Sequence, residues 1–327
     1  MSGINIVVSG LPGKMATLAA EILLRYGGFG SKIVALTGPN QPKNVSVCGL
    51  QFMLFSPEQH ENYLIALKEG HYNPLVVDFS KGAVNRNAEL YCRHGIPFVM
   101  GTTGGDRKAL EQVVVDSGNV AVIAPNMALP IVALQQFIED FSGRHTGAMK
   151  GYKLKVVESH QAGKKDTSGT AKAMISYFNR LGIEFTPEQV EMIRDPARQR
   201  EMGIPEEHLG GHGWHTYEIT APDTSNLKGM YCLQDEFSRF LREHPVFRGY
   251  KKTDMPPRYD ATSKDGNVKI VFGGLTLTGA SDVFIQHNIN GRQVYADGTL
   301  DAVKFLAKHL EEKGRVYTMI DVLNNLN

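Results

Sequence analysis

The sequence predicts an α/β protein in two parts: a doubly wound, Rossmann-like parallel sheet, then a second α/β domain on a mixed sheet. Three observations predict it. Short β-branched runs alternate with helix-like stretches from Ile4 to Ala124. From about Gly151 the runs lengthen and alternate with a period of two. The 327 residues also exceed the ~250–300 at which a single core stops growing.

Taken in order, Ile4 to Ser9 is continuous and β-branched, as a strand buried on both faces should be. Met15 to Tyr26 follows with apolar residues at helical spacing. Further strand-like runs are Lys32 to Thr37, Leu75 to Phe79, Pro97 to Met100 and Val120 to Ala124. Helical stretches at Glu61 to Lys68, Ala83 to His94 and Arg107 to Ser117 separate them, the spacing of a parallel sheet. The mixed sheet is expected from Tyr152 to Glu158, Trp214 to Thr220, Lys269 to Thr276 and Asp282 to Asn288. A last helix, Leu300 to Lys313, is expected to return to the first domain, which gives residues 1–130 plus 299–327 for one domain and 131–298 for the other. Residues 226–279 are polar and dotted with aromatics, and read as a long surface excursion. Within it Phe237-Ser-Arg-Phe240-Leu241 has one apolar side, to be buried on a neighbouring subunit or on its own domain.

Lys and Arg number 35 against 34 Asp and Glu, a formal charge of +1, so there is no basic footprint for nucleic acid. Apolar runs such as Val120 to Ala124 are far shorter than the roughly 20 residues of a membrane span. Cys48, Cys92 and Cys232 are scattered, which fits neither a disulfide framework nor a zinc site. No metal is expected, and a reducing compartment is: the cytoplasm, or the plastid stroma in a photosynthetic eukaryote. No basic and apolar leader precedes Ile4, so a targeting segment is not expected within these residues.

The chemical signals lie in turns. Gly10-Leu-Pro12-Gly13-Lys14-Met15-Ala16 joins the first strand to the first helix, where glycines let a pyrophosphate approach backbone N–H groups and the positive helix terminus. The spacing is looser than the G-x-G-x-x-G fingerprint. No Asp or Glu follows Thr37 at the end of the second strand to accept from a ribose 2′-hydroxyl, and Lys43 is nearby, so NADPH is favoured with NADH possible. Gly101-Thr102-Thr103 and Pro125-Asn126-Met127 follow the fourth and fifth strands, on the rim where open parallel sheets bind ligands. The richest segment runs from Glu158 through His160, Gln161, Lys164 and Asp166 to Ser168-Gly169-Thr170-Ala171. It brings an imidazole and a permanent cation beside a helix start that cradles an anion.

On these residues the chain resembles the 4-hydroxy-tetrahydrodipicolinate reductase (dihydrodipicolinate reductase) family. Its signature, an E-x-H-H start followed by K-x-D and P-S-G-T-A, is met at Glu158, His160, Lys164, Asp166, Ser168, Gly169, Thr170 and Ala171. Gln161 replaces the second histidine, and the stretch from Asp166 to Ser168 is one residue short and lacks the proline, as in the plant-type branch. The resemblance extends to Gly10–Met15, Pro97–Asp106, Ile193–Pro196, Gly203–His208, Gln286–Asn288, Gly291–Arg292 and Met319–Leu323. It implies hydride transfer from a nicotinamide cofactor to a cyclic dicarboxylate, yielding tetrahydrodipicolinate for lysine and diaminopimelate biosynthesis.

By the same resemblance His160 is the general acid and Lys164 assists protonation and holds a carboxylate. Thr103, Gln161, Ser168, Gly169 and Thr170 would bind substrate. Gly10, Pro12, Gly13, Lys14, Met15, Thr37, Gly101, Thr102, Thr103, Pro125, Asn126 and Met127 would meet the cofactor. A homodimer or homotetramer is implied, with residues 131–298 carrying substrate binding and oligomerisation. His287 and Arg292 could complete the pocket or an interface, with a structural role the favoured reading for each. Another nicotinamide-dependent dehydrogenase of amino-acid metabolism, or a non-enzymatic NAD(P) sensor, would share the two-domain plan without needing the His160 to Thr170 constellation.

Overall fold

The computed structural model describes residues 3–29, 34–102, 104–223, 227–255, 258–273 and 282–326. The chain falls into two compact units, residues 1–129 with 293–326, and residues 130–292.

The first unit is built on β1 (Asn5–Leu11), β2 (Val34–Thr37), β3 (Asn44–Val47), β4 (Leu50–Phe55), β5 (Pro74–Asp78), β6 (Phe98–Met100), β7 (Val120–Ile123) and β15 (Arg315–Tyr317). They form one sheet in the order β15-β7-β6-β5-β1-β2-β4-β3, parallel throughout except for the β3/β4 hairpin. Order reverses about β1, the topological switch point of a doubly wound fold. Helices α1 (Lys14–Tyr26), α2 (Pro57–Glu69), α3 (Val84–Arg93), α4 (Arg107–Asp116), α9 (Gln293–Leu306) and α10 (Met319–Asn324) complete the unit. Val7, Leu36, Val76 and Phe98 of the sheet pack with Leu64, Ala88, Tyr91, Leu110 and Val114 of the helices. The last expected helix begins earlier than its spacing suggests, at Gln293, and packs along α1. Periodicity did not reveal the β3/β4 hairpin, because both strands are short and largely exposed.

The second unit contains α5 (Leu129–Arg144), β8 (Lys153–His160), α6 (Gly169–Arg180), β9 (Glu191–Ile193), α7 (Pro196–Glu201), β10 (His212–Thr220), α8 (Lys228–Glu243), β11 (Lys251–Met255), β12 (Arg258–Thr262), β13 (Val268–Gly273) and β14 (Asp282–Asn290). The sheet order is β11-β12-β13-β14-β10-β8-β9, antiparallel except for the β8/β9 pair. Tyr217, Ile285 and Phe272 lie side by side across β10, β14 and β13, so they share a face. Phe178 of α6 meets Tyr217 at 5.5 Å between ring centres and Phe237 of α8 meets Phe272 at 5.2 Å, which puts both helices on that face.

These contacts correct the reading of residues 226–279 as a surface excursion. Its described part supplies α8 and strands β11, β12 and β13, and the apolar side of Phe237, Phe240 and Leu241 is buried within the unit. Charged residues of both signs, Lys228, Asp235, Arg239, Arg242 and Glu243, occupy the outward positions of α8, so average polarity concealed its apolar stripe. Residues 274–276 of the expected strand ending at Thr276 lie outside the described residues.

Candidate active site

The first unit carries a cavity of about 760 Å³ at the carboxyl ends of β1, β2, β4 and β5. Gly10, Pro12, Gly13 and Thr37 line it. Gly10 has a φ of +103°, and a Cβ there would sit 2.9 Å from the backbone of Phe79 and Ser80. A Cβ on Gly13 would come within 2.7 Å of the Gly10 carbonyl oxygen. Both glycines therefore keep a bare backbone in front of α1, whose first turn holds no acid. The facing loop is fixed by buried Asp78, which accepts from Ser80 N at 2.6 Å, Tyr91 Oη at 2.6 Å and Asn87 Nδ2 at 2.9 Å. The residues fit a dinucleotide pyrophosphate at a helix N-terminus.

Other expected contacts occupy the same sheet edge without lining this cavity. Lys14 and Met15 open α1, Gly101 and Thr102 follow β6, and Pro125 and Asn126 follow β7. Met127 is buried, and its Sδ accepts from Thr299 Oγ1 at 3.0 Å, so its side chain serves packing against α9. The Thr37 hydroxyl donates to the Leu11 carbonyl at 2.5 Å and so clamps β2 to the phosphate turn. Thr103 lies outside the described residues. Lys43 does not line the cavity; Lys81 and Arg86 do, together with an acid absent after β2, Glu58 of the first turn of α2. Glu58 accepts from Ser56 Oγ at 2.6 Å, and that bond, followed by the one from its own backbone N–H, holds its carboxyl below the usual range.

The second unit gathers the His160 segment around one buried carboxylate. Glu158 and His160 are two apart on β8 and so face the same side, and His215 of β10 stands directly opposite Glu158. Gly213 stands opposite His160, and a Cβ there would lie 3.2 Å from the imidazole, so the glycine makes room for the ring. Glu158 is fully buried and is paired to Arg194 Nη2; its Oε2 also accepts from Ser168 N at 3.0 Å. Burial alone would raise its pKa, but the bonds from His215, Ser168 and Arg194 outweigh burial and keep it ionised. His160 Nδ1 donates to the His212 carbonyl at 3.1 Å, and its Nε2 lies 3.3 Å from His215 Nε2. Burial first, then the charge of His215, pushes the His160 pKa down to about 3, so in the free protein this imidazole is neutral near pH 7.

The helix start is divided in its roles. Ser168 Oγ caps α6 by accepting from Ala171 N at 3.0 Å and lies 2.8 Å from His215 Nε2, while its amide serves Glu158. Ser168 is thus a support, and the amides of Gly169 and Thr170 are the donors with no acceptor among the described residues. Lys164 is half-buried beside this terminus, and the Gln161 carbonyl accepts from Lys164 N at 3.0 Å.

Comparison with known proteins places this geometry. The dihydrodipicolinate reductase N-terminal family profile matches residues 4–127. Two Arabidopsis thaliana proteins, 4-hydroxy-tetrahydrodipicolinate reductases 1 and 2, chloroplastic, are 37% and 38% identical to this chain. Each match covers 100% of the chain and 79% of the relative. The chain belongs to the 4-hydroxy-tetrahydrodipicolinate reductase family. A solved structure described as dipicolinate-bound dihydrodipicolinate reductase from Paenisporosarcina sp. TG-14 shares the fold, with a TM-score of 0.52 at 13% identity over 99% of both chains.

Within this reductase family, His215 and Arg194 are the site residues that the sequence reading left without a role. The signal for His215 was a polar residue on the inward side of a strand whose next inward members are Tyr217 and Ile219. Arg194 lay inside the resembling segment Ile193–Pro196 but pattern gave it no role, because it approaches Glu158 from the loop after β9. His287 is buried and stacked on His215, and Arg292 donates to the Gly210 carbonyl at 3.3 Å; both have structural contacts.

Proposed function

We infer that the protein is an NAD(P)H-dependent 4-hydroxy-tetrahydrodipicolinate reductase, reducing a dihydrodipicolinate-type intermediate to tetrahydrodipicolinate in lysine and diaminopimelate biosynthesis. The observation that carries this reading is the Glu158, His160, His215 and Ser168 cluster beside the free amides of α6, in a chain of this family.

The substrate carries two carboxylates. Gly169 and Thr170 N–H groups and the Lys164 ammonium take one of them, since a helix N-terminus and a cation both favour an anion. When bound, the reduced nicotinamide supplies the hydride. Hydride arrival at an unsaturated carbon conjugated to an imine leaves an electron pair that must be protonated, and the His160 imidazole on β8 is the group proposed to deliver that proton. Neutral in the free protein, His160 takes a proton from solvent as the dianion binds, because nearby negative charge favours the imidazolium. The buried Glu158 carboxylate, fixed by Arg194, stabilises that charge from behind.

NADPH is proposed as the better cofactor. Two cations, Lys81 and Arg86, face one acid, Glu58, in the cavity, and this balance favours a 2′-phosphate. A homo-oligomer, dimer or tetramer, is proposed from family membership. Among the described residues no helix is long and apolar enough to cross a membrane. A plastid or another reducing compartment is proposed from the chloroplastic relatives and the three free cysteines. The test is a coupled assay in which aspartate semialdehyde, pyruvate and the preceding synthase generate substrate in the cuvette. Synthase-dependent loss of the reduced-nicotinamide absorbance is expected, faster with NADPH at low concentration; no such loss with either cofactor would remove the assignment.

A further inference from the structure

His215 is fully buried in the middle of β10, yet three polar groups converge on one edge of its ring. Its Nε2 lies 2.8 Å from Ser168 Oγ, 3.3 Å from His160 Nε2 and 3.5 Å from Glu158 Oε2. Its other nitrogen, Nδ1, is buried and meets no hydrogen-bond partner among the described residues. Buried N–H donors are seldom left unpaired, and an ionised carboxylate only accepts, so the proton of neutral His215 belongs on Nε2. The opposite assignment holds for His160. Its Nδ1 faces the His212 carbonyl, which only accepts, so the proton is on Nδ1 and Nε2 presents a lone pair to His215.

The ring of His215 is locked in this pose. His287 stacks on it at 4.4 Å between centres and 23° between planes, and Tyr217 follows on the same face. Phe178 of α6 closes over Tyr217. One rigid imidazole thus touches both functional parts of the unit, the acid His160 and the cap residue Ser168, whose helix presents Gly169 and Thr170.

We propose that His215 is a positioning residue of the reductase: its Nε2–H ties the Nε2 edge of His160 to the Ser168 cap, holding the proton donor in register with the carboxylate-binding helix terminus. The proposal rests on the reading of His160 and α6 given above. His215 touches neither substrate nor cofactor in this role; it fixes the distance between the group that gives the proton and the group that orients the acceptor.

The charged and titratable groups around His160 are Glu158 on the same strand, His215 and His212 on β10, His287 on β14, Arg194 after β9 and Lys164 on the loop before α6. Of these, His215 is the one whose ring edge meets His160 Nε2. Loss of that imidazole frees His160 to hold a proton at higher pH.

The test compares wild type with His215→Gln, whose amide N–H replaces the Nε2 donor, and with His215→Ala. Each protein is first checked for an unchanged far-ultraviolet circular dichroism spectrum. His215→Ala is expected to lower kcat/KM roughly 10- to 100-fold, with KM raised as well as kcat lowered, since both the acid and the carboxylate helix lose register. His215→Gln is expected to recover most of the KM effect. Nitrogen-15 NMR of the His160 ring, which needs no turnover, is expected to show its titration moving to higher pH in His215→Ala and by less in His215→Gln. Unchanged kinetics in both variants together with an unmoved His160 titration would overturn the proposal. If the wild-type enzyme itself shows no turnover, the reductase reading fails, and the NMR comparison still decides whether His215 governs His160.

Discussion

Arg194 and Glu158 form a pair in the second unit in which the guanidinium is mostly covered and the carboxylate wholly so. The same guanidinium donates from Nε to the Lys164 carbonyl at 2.8 Å and from Nη1 to the Glu158 carbonyl at 3.2 Å. One side chain therefore neutralises the carboxylate beneath His160 and pins the loop that carries Lys164. Electrostatics and loop geometry are coupled through it.

Removing the guanidinium should show both effects. Arg194→Ala leaves a buried carboxylate unpaired and is expected to cost about 3–5 kcal/mol of unfolding free energy near pH 7. Because the folded Glu158 pKa lies below the unfolded value of about 4.3, the pair's contribution is complete above that pH and is lost as pH falls below it. The gap between wild type and variant should therefore narrow in urea titrations near pH 3. A gap equal at both pH values would show that the pair is not the source of the stability.

His160 gives a pH signature as well as a loss of rate. His160→Gln is expected to lower kcat by roughly 10²–10⁴. In wild type, substrate binding coupled to proton uptake should raise KM as pH rises from about 6 to 8, because the free imidazole, held down to about 3, must be charged against a falling proton concentration. The Gln variant should lose that slope. Lys164→Ala should raise KM and lower kcat together. Wild-type kinetics in both variants would return this loop to a structural role.

How far these roles could be read in advance differs from residue to residue. The doubly wound sheet was legible because strands such as Val120 to Ala124 are continuously apolar and bounded by turns, and the His160 to Thr170 segment because its residues are consecutive. His215 and Arg194 were not, since a strand pairing and a loop crossing, both tertiary, bring them to Glu158. Lys43 was chosen by closeness in sequence to the end of β2, whereas Lys81 and Arg86 enter the cavity from the turn after β5 and from α3.

The cofactor cavity makes Arg86 the next test. It is exposed on α3 and lines the cavity together with Glu58. Arg86→Ala is expected to weaken NADPH roughly tenfold, about 1.4 kcal/mol, while NADH changes by no more than about twofold. Glu58→Gln should shift the ratio the other way, toward NADPH. Calorimetric titration of both nucleotides measures this directly, and equal losses for NADPH and NADH in Arg86→Ala would mean that the side chain does not meet the 2′-phosphate.

The last prediction concerns the segment first read as a surface excursion. Phe237 of α8 is fully buried and meets Phe137 of α5 edge-on at 5.4 Å, Phe240 at 5.7 Å and Phe272 of β13 at 5.2 Å. A ring so enclosed belongs to the core of its own unit, and Phe237→Ala should cost about 3–5 kcal/mol through lost burial and the cavity left behind. Tyr231 lies on the same helix but is 45% exposed, so Tyr231→Ala should change stability by less than about 0.5 kcal/mol. Were the apolar side of α8 instead a subunit contact, the Phe237 variant would change oligomeric mass and its stability loss would grow on dilution. Urea unfolding at two protein concentrations separates the cases: a loss independent of concentration, with Tyr231→Ala near wild type, assigns the helix to the intramolecular core, and a concentration-dependent loss would restore the interface.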